Sequence, residues 1–253
     1  MIFLFDLDGT ISFDGQSIER SIVESIKELE QKGNEVIFTS ARPIRDMLPL
    51  LKSNFEDNFY IGGNGSIIKD RHIIKVTKRM DTFSVIYLKE LIKKYNLDYL
   101  VDDEWNYSLR NRYDRISKIN DKIDVLKVAR NISINEIQRP IKFTLLNIPL
   151  KNYDQIYKKI RKLPVEIMRH EGTYNIDITA KNINKYTIFR KYFPNEKYIA
   201  FGNDENDLAM LQNSDVAIVV GNKTLMQNHG FKNIDDTVHQ VAEIIVKYGN
   251  NNT

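Results

Sequence analysis

Two aspartates one residue apart, Asp6 and Asp8, follow the apolar run Met1-Ile2-Phe3-Leu4-Phe5 and precede Gly9-Thr10. The apolar run predicts a buried strand. Strand alternation then places both carboxylates on the same side of the chain. Like charges held that close need a metal, a shared proton or a lysine beside them. A pair of this kind can divide the work of phosphoryl transfer. One carboxylate attacks phosphorus and forms an acyl phosphate, and the other moves the proton.

Three more polar clusters sit where a predicted strand gives way to a helix or turn. Thr39, Ser40 and Arg42 form the second and Lys185 the third. The fourth is Gly202-Asn203-Asp204-Glu205-Asn206-Asp207. Strand ends of a parallel sheet converge on one crevice. A hydroxyl, backbone amides and a lysine there can hold phosphoryl oxygens. Carboxylate and amide oxygens can hold Mg²⁺, which takes oxygen ligands in octahedral geometry. Each cluster alone has a plainer explanation: Ser40 as a helix cap ahead of Pro43, Lys185 as a solvated helix residue, residues 202–207 as a polar turn. One shared site explains all four.

The elements that must position them follow from periodicity. Ile18, Ile22, Ile26 and Leu29 recur at helical spacing up to Lys32-Gly33. Glu35–Thr39 and Asn58–Ile61 read as strands around a second helix, and Gly62-Gly63-Asn64-Gly65 as a turn. The order β-α-β-α-β favours a parallel sheet. From Arg71–Val76, expected to lead away from that sheet, the pattern becomes strand-rich. It includes a helix over Leu88–Tyr95, short strands at Tyr99–Val101 and Trp105–Leu109, and a helix at Ile123–Ala129. Further on come strand Ile141–Leu146, helix Tyr153–Ile160, and strands Val165–Met168 and Tyr174–Ile178. Alternation resumes with helix Tyr186–Tyr192, strand Tyr198–Phe201, helix Glu205–Leu211, strand Val216–Val220 and helix Val238–Val246. The fold class is therefore α/β, a Rossmann-like parallel-sheet core of residues 1–79 and 183–253 with an inserted α+β domain over 80–182. The polar tail 249–253 is expected to fray.

Composition narrows the rest. The 253 residues are 42% hydrophobic and 28% charged, with 37 basic and 34 acidic side chains giving a net charge of +3. That balance does not point to nucleic acid, whose binders concentrate positive charge on one face. The absence of cysteine excludes disulfides and thiolate chemistry. No signal peptide or membrane-length apolar run is visible, so a cytoplasmic location is expected. The oligomeric state is not readable. His72, His170, His229 and His239 lack ligand-like spacing and receive no role.

The chain resembles phosphatases of the haloacid dehalogenase (HAD) superfamily, Cof-type, with a large C2-type cap. Asp6-Leu7-Asp8-Gly9-Thr10 matches the family's first motif, Thr39-Ser40-Ala41-Arg42 the second, Asn184-Lys185-Tyr186 the third and Gly202–Leu211 the fourth; Val216–Asn222 is similar to its next strand and turn. The resemblance implies Asp6 as nucleophile and Asp8 as general acid/base. Ser40, Lys185, Gly9 and Ala41 would bind phosphate, and Thr10, Arg42 and Asp207 would support the site. Mg²⁺ would sit on Asp6, Asp8 and a fourth-motif side chain, Asn203 or Asp204. Tyr186 stands where a glycine is common, and Asn203 where an aspartate often sits. The substrate would be a small phosphorylated metabolite, a sugar phosphate or similar. Residues 80–182 resemble the cap, in which Trp105, Tyr107, Arg110 and Arg112 could face the crevice, as could Asn64 of the core. Two rivals remain: a receiver-type phospho-acceptor, which is about half this length and needs no second aspartate, and an inactive phosphometabolite-binding protein.

Overall fold

The computed structural model describes residues 1–112, 119–170, 173–221, 224 and 228–250. Its larger sheet contains β1 (Ile2–Asp6), β2 (Glu35–Thr39), β3 (Phe59–Gly62), β4 (Ile67–Asp70), β5 (Ile73–Val76), β11 (Tyr198–Gly202), β12 (Val216–Val220) and β13 (Lys232–Ile234), in the order β13-β12-β11-β1-β2-β3-β4-β5. From β13 to β3 neighbours run parallel; β4 and β5 then add an antiparallel hairpin. Residues 73–76 thus close the edge of this sheet rather than leaving it, because the turn at 63–65 reverses the chain through Asn64, held at φ 53°.

β1 is central and buried on both faces, as its unbroken apolar run requires. Ile2 and Leu4 join one core cluster, while Phe3 and Phe5 join the other with α1 (Arg20–Gln31) and α7 (Val238–Asn250). α1 presents Ile22, Val23, Ile26 and Leu29, and α7 presents Val241, Ile244 and Ile245. The two helices approach so closely at Gly249 that an added Cβ would lie 2.4 Å from Leu29 Cδ2. Gly249 and Asn250 are therefore helical, not frayed; residues 251–253 lie outside the described residues. α2 (Ile44–Phe55) begins after Pro43 with no side-chain cap, so Ser40 is not its N-cap.

The second sheet is antiparallel: β6 (Asp98–Asp102), β7 (Tyr107–Arg110), β8 (Lys142–Leu146), β9 (Val165–Arg169) and β10 (Ile176–Ala180), ordered β7-β6-β8-β10-β9. α3 (Thr82–Tyr95) and α4 (Leu150–Ile160) cover one face. The opposite face carries Lys142, Thr144 and Leu146 from β8 beside Asn175 and Asp177, a period-2 row turned toward the larger sheet's strand ends. The helix expected at Ile123–Ala129 does not form. Asp124 and Lys127 adopt left-handed φ of 48° and 53°, and the Asp124 carboxylate accepts from the Val128 and Ala129 amides.

Candidate active site

The carboxyl ends of β1, β2 and β11 and the start of α5 (Lys185–Tyr192) meet beneath the second sheet. Asp6 ends β1, 4% exposed. Lys185, the first residue of α5, is equally buried and donates to Asp6 and, at 2.7 Å, to Asp207. Asn184 caps α5 through the Thr187 amide, and the reciprocal Thr187 hydroxyl contact completes a capping box. The cap fixes where the helix starts, and so where the lysine enters. Thr10 donates to Asp6 at 3.1 Å and lies 3.4 Å from the Asn203 amide oxygen.

Asp207 holds the fourth motif. One oxygen takes Lys185; the other accepts from the Asn203 and Asp204 amides at 3.0 and 3.2 Å. Asp204 accepts from Glu205 and caps a short 3₁₀ turn over 205–207, in place of the first turn of the expected helix; α6 (Leu208–Gln212) follows. Gly9 sits at φ +77°, and a Cβ there would lie 2.1 Å from Asn203 Nδ2, so only glycine lets the first and fourth motifs touch. Its amide donates to the Ser12 carbonyl at 2.9 Å. Room for Asn203, rather than a free phosphate donor, is what Gly9 provides in this conformation.

Asp8 turns outward to Arg42, whose Nε donates to it at 2.8 Å and whose Nη2 also reaches Gly15. The second-motif loop is tied to the Gly62–Asn64 turn. Ser40 donates its amide to Ile61, Gly63 donates to the Arg42 carbonyl, and Asn64 donates to the Ser40 carbonyl at 3.0 Å. Ser40 Oγ accepts from the Arg42 amide.

The electrostatics are those of a crowded carboxylate site. Burial, then Asp207, raises the Asp6 carboxyl to about 8 despite Lys185. Burial opposes charge on Lys185, but Asp207 and Asp6 push it above its ordinary value, so it stays an ammonium. Were Asp6 and Asp207 both ionised, they would exceed the single charge of Lys185, which is why Asp6 tends to keep its proton without a further cation. Among the described residues no group of three or more His, Cys, Asp and Glu side chains is placed to hold a metal. The oxygen donors lining this end of the cavity are those of Asp6, Asn203 and Asp204, with Asp8 beside them. This hard-oxygen set suits a small divalent cation, whose charge would favour the ionised form of Asp6.

A cavity of about 380 Å³ joins Asp6, Asp8, Ala41, Arg42, Asn203 and Asp204 to the second sheet. That sheet contributes Lys142, Thr144 and Asp177, with His170 just beyond β9. His170 lies 3.3 Å from Asp177 and 4.0 Å from Asp204. Burial disfavours its charge, but Asp177 and then Asp204 outweigh that and raise its pKa. The same sequence spacing that gave His170 no role could not show this proximity. The alternation Asn175-Ile176-Asp177-Ile178-Thr179 did carry a signal for Asp177, since it sets three polar side chains on one strand face.

The expected cap contacts are elsewhere. Trp105 donates to Val128, and Arg110 packs over Tyr99 and bonds Leu97. Arg112 pairs with Asp98 at 2.7 Å, and Tyr107 lies against Arg45. Arg110 and Arg112 brace the start of β6, Trp105 holds the 123–129 loop and Tyr107 meets the core helix α2. Asn64 is buried and donates to Asp177 at 2.9 Å. Asn222 lies outside the described residues.

The family model of haloacid dehalogenase-like hydrolases matches residues 3–248, and the chain belongs to that family, as a Cof-type phosphatase. The chain is 24% identical over 230 residues to the 5-amino-6-(5-phospho-D-ribitylamino)uracil phosphatase YcsE of Bacillus subtilis, covering 87% of this chain and 84% of that one. It is 21% identical over 272 residues to a putative phosphatase, MG265, of Mycoplasma genitalium, covering 98% and 93%. Its fold superposes on that of the HAD subclass IIB sugar phosphatase BT4131 with a TM-score of 0.80, at 21% identity and 98% coverage of both chains. As a phosphatase it is neither the receiver-type acceptor nor the inactive binder. Among the described residues no helix is long and apolar enough to cross a membrane.

Proposed function

We propose that the protein is a Mg²⁺-dependent phosphomonoesterase that hydrolyses a small phosphorylated metabolite, a sugar phosphate or similar, through an aspartyl phosphate on Asp6. The buried Asp6–Lys185–Asp207 triad with Asp8 at the cavity rim carries this reading. Asp6 attacks phosphorus while the ester P–O bond breaks, and Asp8 delivers a proton to the departing oxygen. Asp8 then takes a proton from the water that attacks the aspartyl phosphate, releasing phosphate and restoring Asp6. Lys185, fixed by Asp207, neutralises phosphoryl oxygens, and the Ser40 hydroxyl and Ala41 amide hold them. Mg²⁺ would be held by Asp6, the Asp8 carbonyl and Asn203, with Asp204 close by, and would supply positive charge against the phosphoryl oxygens. Residues 80–182 act as a cap that excludes water and selects the leaving group.

The cavity and the polar row above it support a hydroxyl-bearing leaving group, as do the sugar phosphatase and ribityl-phosphate phosphatase among the similar proteins. A panel of phosphorylated metabolites assayed with Mg²⁺ tests the reading. Phosphate release that is lost in excess chelator and restored by Mg²⁺ is expected. Asp204→Asn should raise the Mg²⁺ concentration needed. Full activity in chelator would overturn the metal assignment.

A further inference from the structure

Asp177 is 1% exposed, and its carboxylate is met by four side-chain donors. One oxygen accepts from Thr144 Oγ1 at 2.6 Å. The other receives Asn64 Nδ2 at 2.9 Å, His170 Nε2 at 3.3 Å and Lys142 Nζ at 3.5 Å. So many donors hold its carboxyl well below the usual range even though burial alone would raise it. A carboxylate so filled has little capacity left for a substrate hydroxyl. Its geometry instead joins two bodies: Thr144, Lys142 and His170 belong to the second sheet's side of the cavity, Asn64 to the core turn.

Lys142 makes the same crossing in the other direction. Lys142 is 5% exposed, and its ammonium donates to the Ala41 carbonyl at 2.8 Å. Ala41 lies between Ser40 and Arg42, in the loop tied to the Gly62–Asn64 turn. That turn holds Asn64, which donates to Asp177 and accepts from Asn206 of the fourth motif at 3.3 Å. Two bonds from the cap sheet therefore end on the two core segments that shape the phosphoryl-binding loop. A buried ammonium beside a peptide carbonyl fixes that peptide plane, and with it the direction of neighbouring amides.

We propose that Lys142 and Asp177 are positioning residues: on closure, Lys142 clamps the Ala41 carbonyl and Asp177 clamps Asn64, so that the phosphoryl-binding loop reaches its working geometry only under the closed cap. This rests on the reading of Ser40 and Ala41 as phosphoryl-binding groups. It explains why two buried charges stand on the roof of the cavity, where apolar residues would exclude water equally well. It also places the pair's effect on a step shared by all substrates, unlike a leaving-group contact.

The test compares Lys142→Ala, Lys142→Arg and Asp177→Asn in the full chain with Mg²⁺. Para-nitrophenyl phosphate serves as an ester with a small leaving group and the best panel metabolite as the second substrate; inorganic phosphate binding is read by calorimetry. For Lys142→Ala we expect kcat to fall about 10²-fold on both substrates, with weaker phosphate binding. Methylammonium should restore part of kcat, and Lys142→Arg should retain more activity than alanine. A role confined to folding would lower the melting temperature without amine rescue. Unchanged kcat in Lys142→Ala and Asp177→Asn would overturn the proposal, as would losses confined to the metabolite. Asp6→Asn is run alongside: if it keeps activity, the underlying mechanism fails; if it is inactive while Lys142→Ala turns over normally, only the coupling fails.

Discussion

The two walls of the cavity are built by different rules. On the core side, functional groups sit within a few residues of each other at strand ends: Asp6 with Asp8 and Thr10, Ser40 with Arg42, Asn203 with Asp207. On the cap side, Lys142 and Thr144 come from β8, Asp177 from β10 and His170 from just beyond β9, and they meet through antiparallel register, with Asp177 opposite Thr144. The core wall is a set of strand-end loops held by Asp207 and Lys185; the cap wall is a sheet face. A catalytic constellation gains from short loops on a rigid sheet, since strand ends fix positions closely. A sheet face offers alternating positions that can change one by one without disturbing the strand. The core wall thus supplies the chemical groups, and the cap wall reaches back to their loops through Lys142 and Asp177.

Substitutions can break or sharpen that contrast. The largest effect is expected at Lys185→Met, which leaves Asp6 and Asp207 buried without their cation. Removing one partner of such a buried pair costs about 3–5 kcal/mol, so the urea midpoint should drop and turnover should fall to background on every substrate. Retained turnover would show that Lys185 only fills space. Asp8→Asn should lower kcat by about 10²–10⁴-fold with the urea midpoint near that of the parent, because Asp8 is at the rim and its partner Arg42 also bonds Gly15. An unchanged rate would place the proton on another group.

A smaller loss is expected at Gly9→Ala. The new methyl meets Asn203 from a strained φ, at a cost on the order of 1–3 kcal/mol, and kcat should drop while KM for the substrate moves less. If kcat stays at the parent value, the contact between first and fourth motifs is not needed for turnover. On the cap wall, Thr144→Val removes one of the donors to Asp177 at a cost of about 1 kcal/mol. Steady-state kinetics should show a several-fold fall of similar size on every substrate, because Thr144 holds the Asp177 clamp; a change that differs among metabolites would make Thr144 a leaving-group contact instead. Arg112→Ala should leave kinetics on both kinds of substrate within assay scatter, since its guanidinium pairs with Asp98 away from the cavity. A clear change in substrate preference would return Arg112 to the cavity.

The contrast also explains what the sequence could tell. Apolar runs such as Ile2–Phe5 and Val216–Val220 announce a parallel sheet by composition alone, and the clusters at their ends lie close in sequence. The lysine was weaker as a signal, because only the fold brings Lys185 to Asp6 across 179 positions. The cap wall needed knowledge of strand register. Asp177 and Lys142 had the right alternation, but nothing local showed which face would look into the cavity. Trp105 and Arg112 stand out by residue type, but Trp105 holds the 123–129 loop and Arg112 pairs with Asp98 at the start of β6. The loop 123–129 had apolar spacing fit for a helix, yet Asp124 captured two backbone amides with its side chain and turned the chain instead.

The most direct test of the central claim is to look for the covalent intermediate. Asp8→Asn enzyme, mixed with Mg²⁺ and a phosphorylated panel substrate, would be quenched in acid and its peptides analysed by mass spectrometry. With the proton shuttle removed, the account predicts a phosphoryl group on the peptide bearing Asp6, absent in the Asp6→Asn/Asp8→Asn double variant. Phosphate found on another residue, or turnover in the double variant without any phosphorylated aspartate, would contradict it.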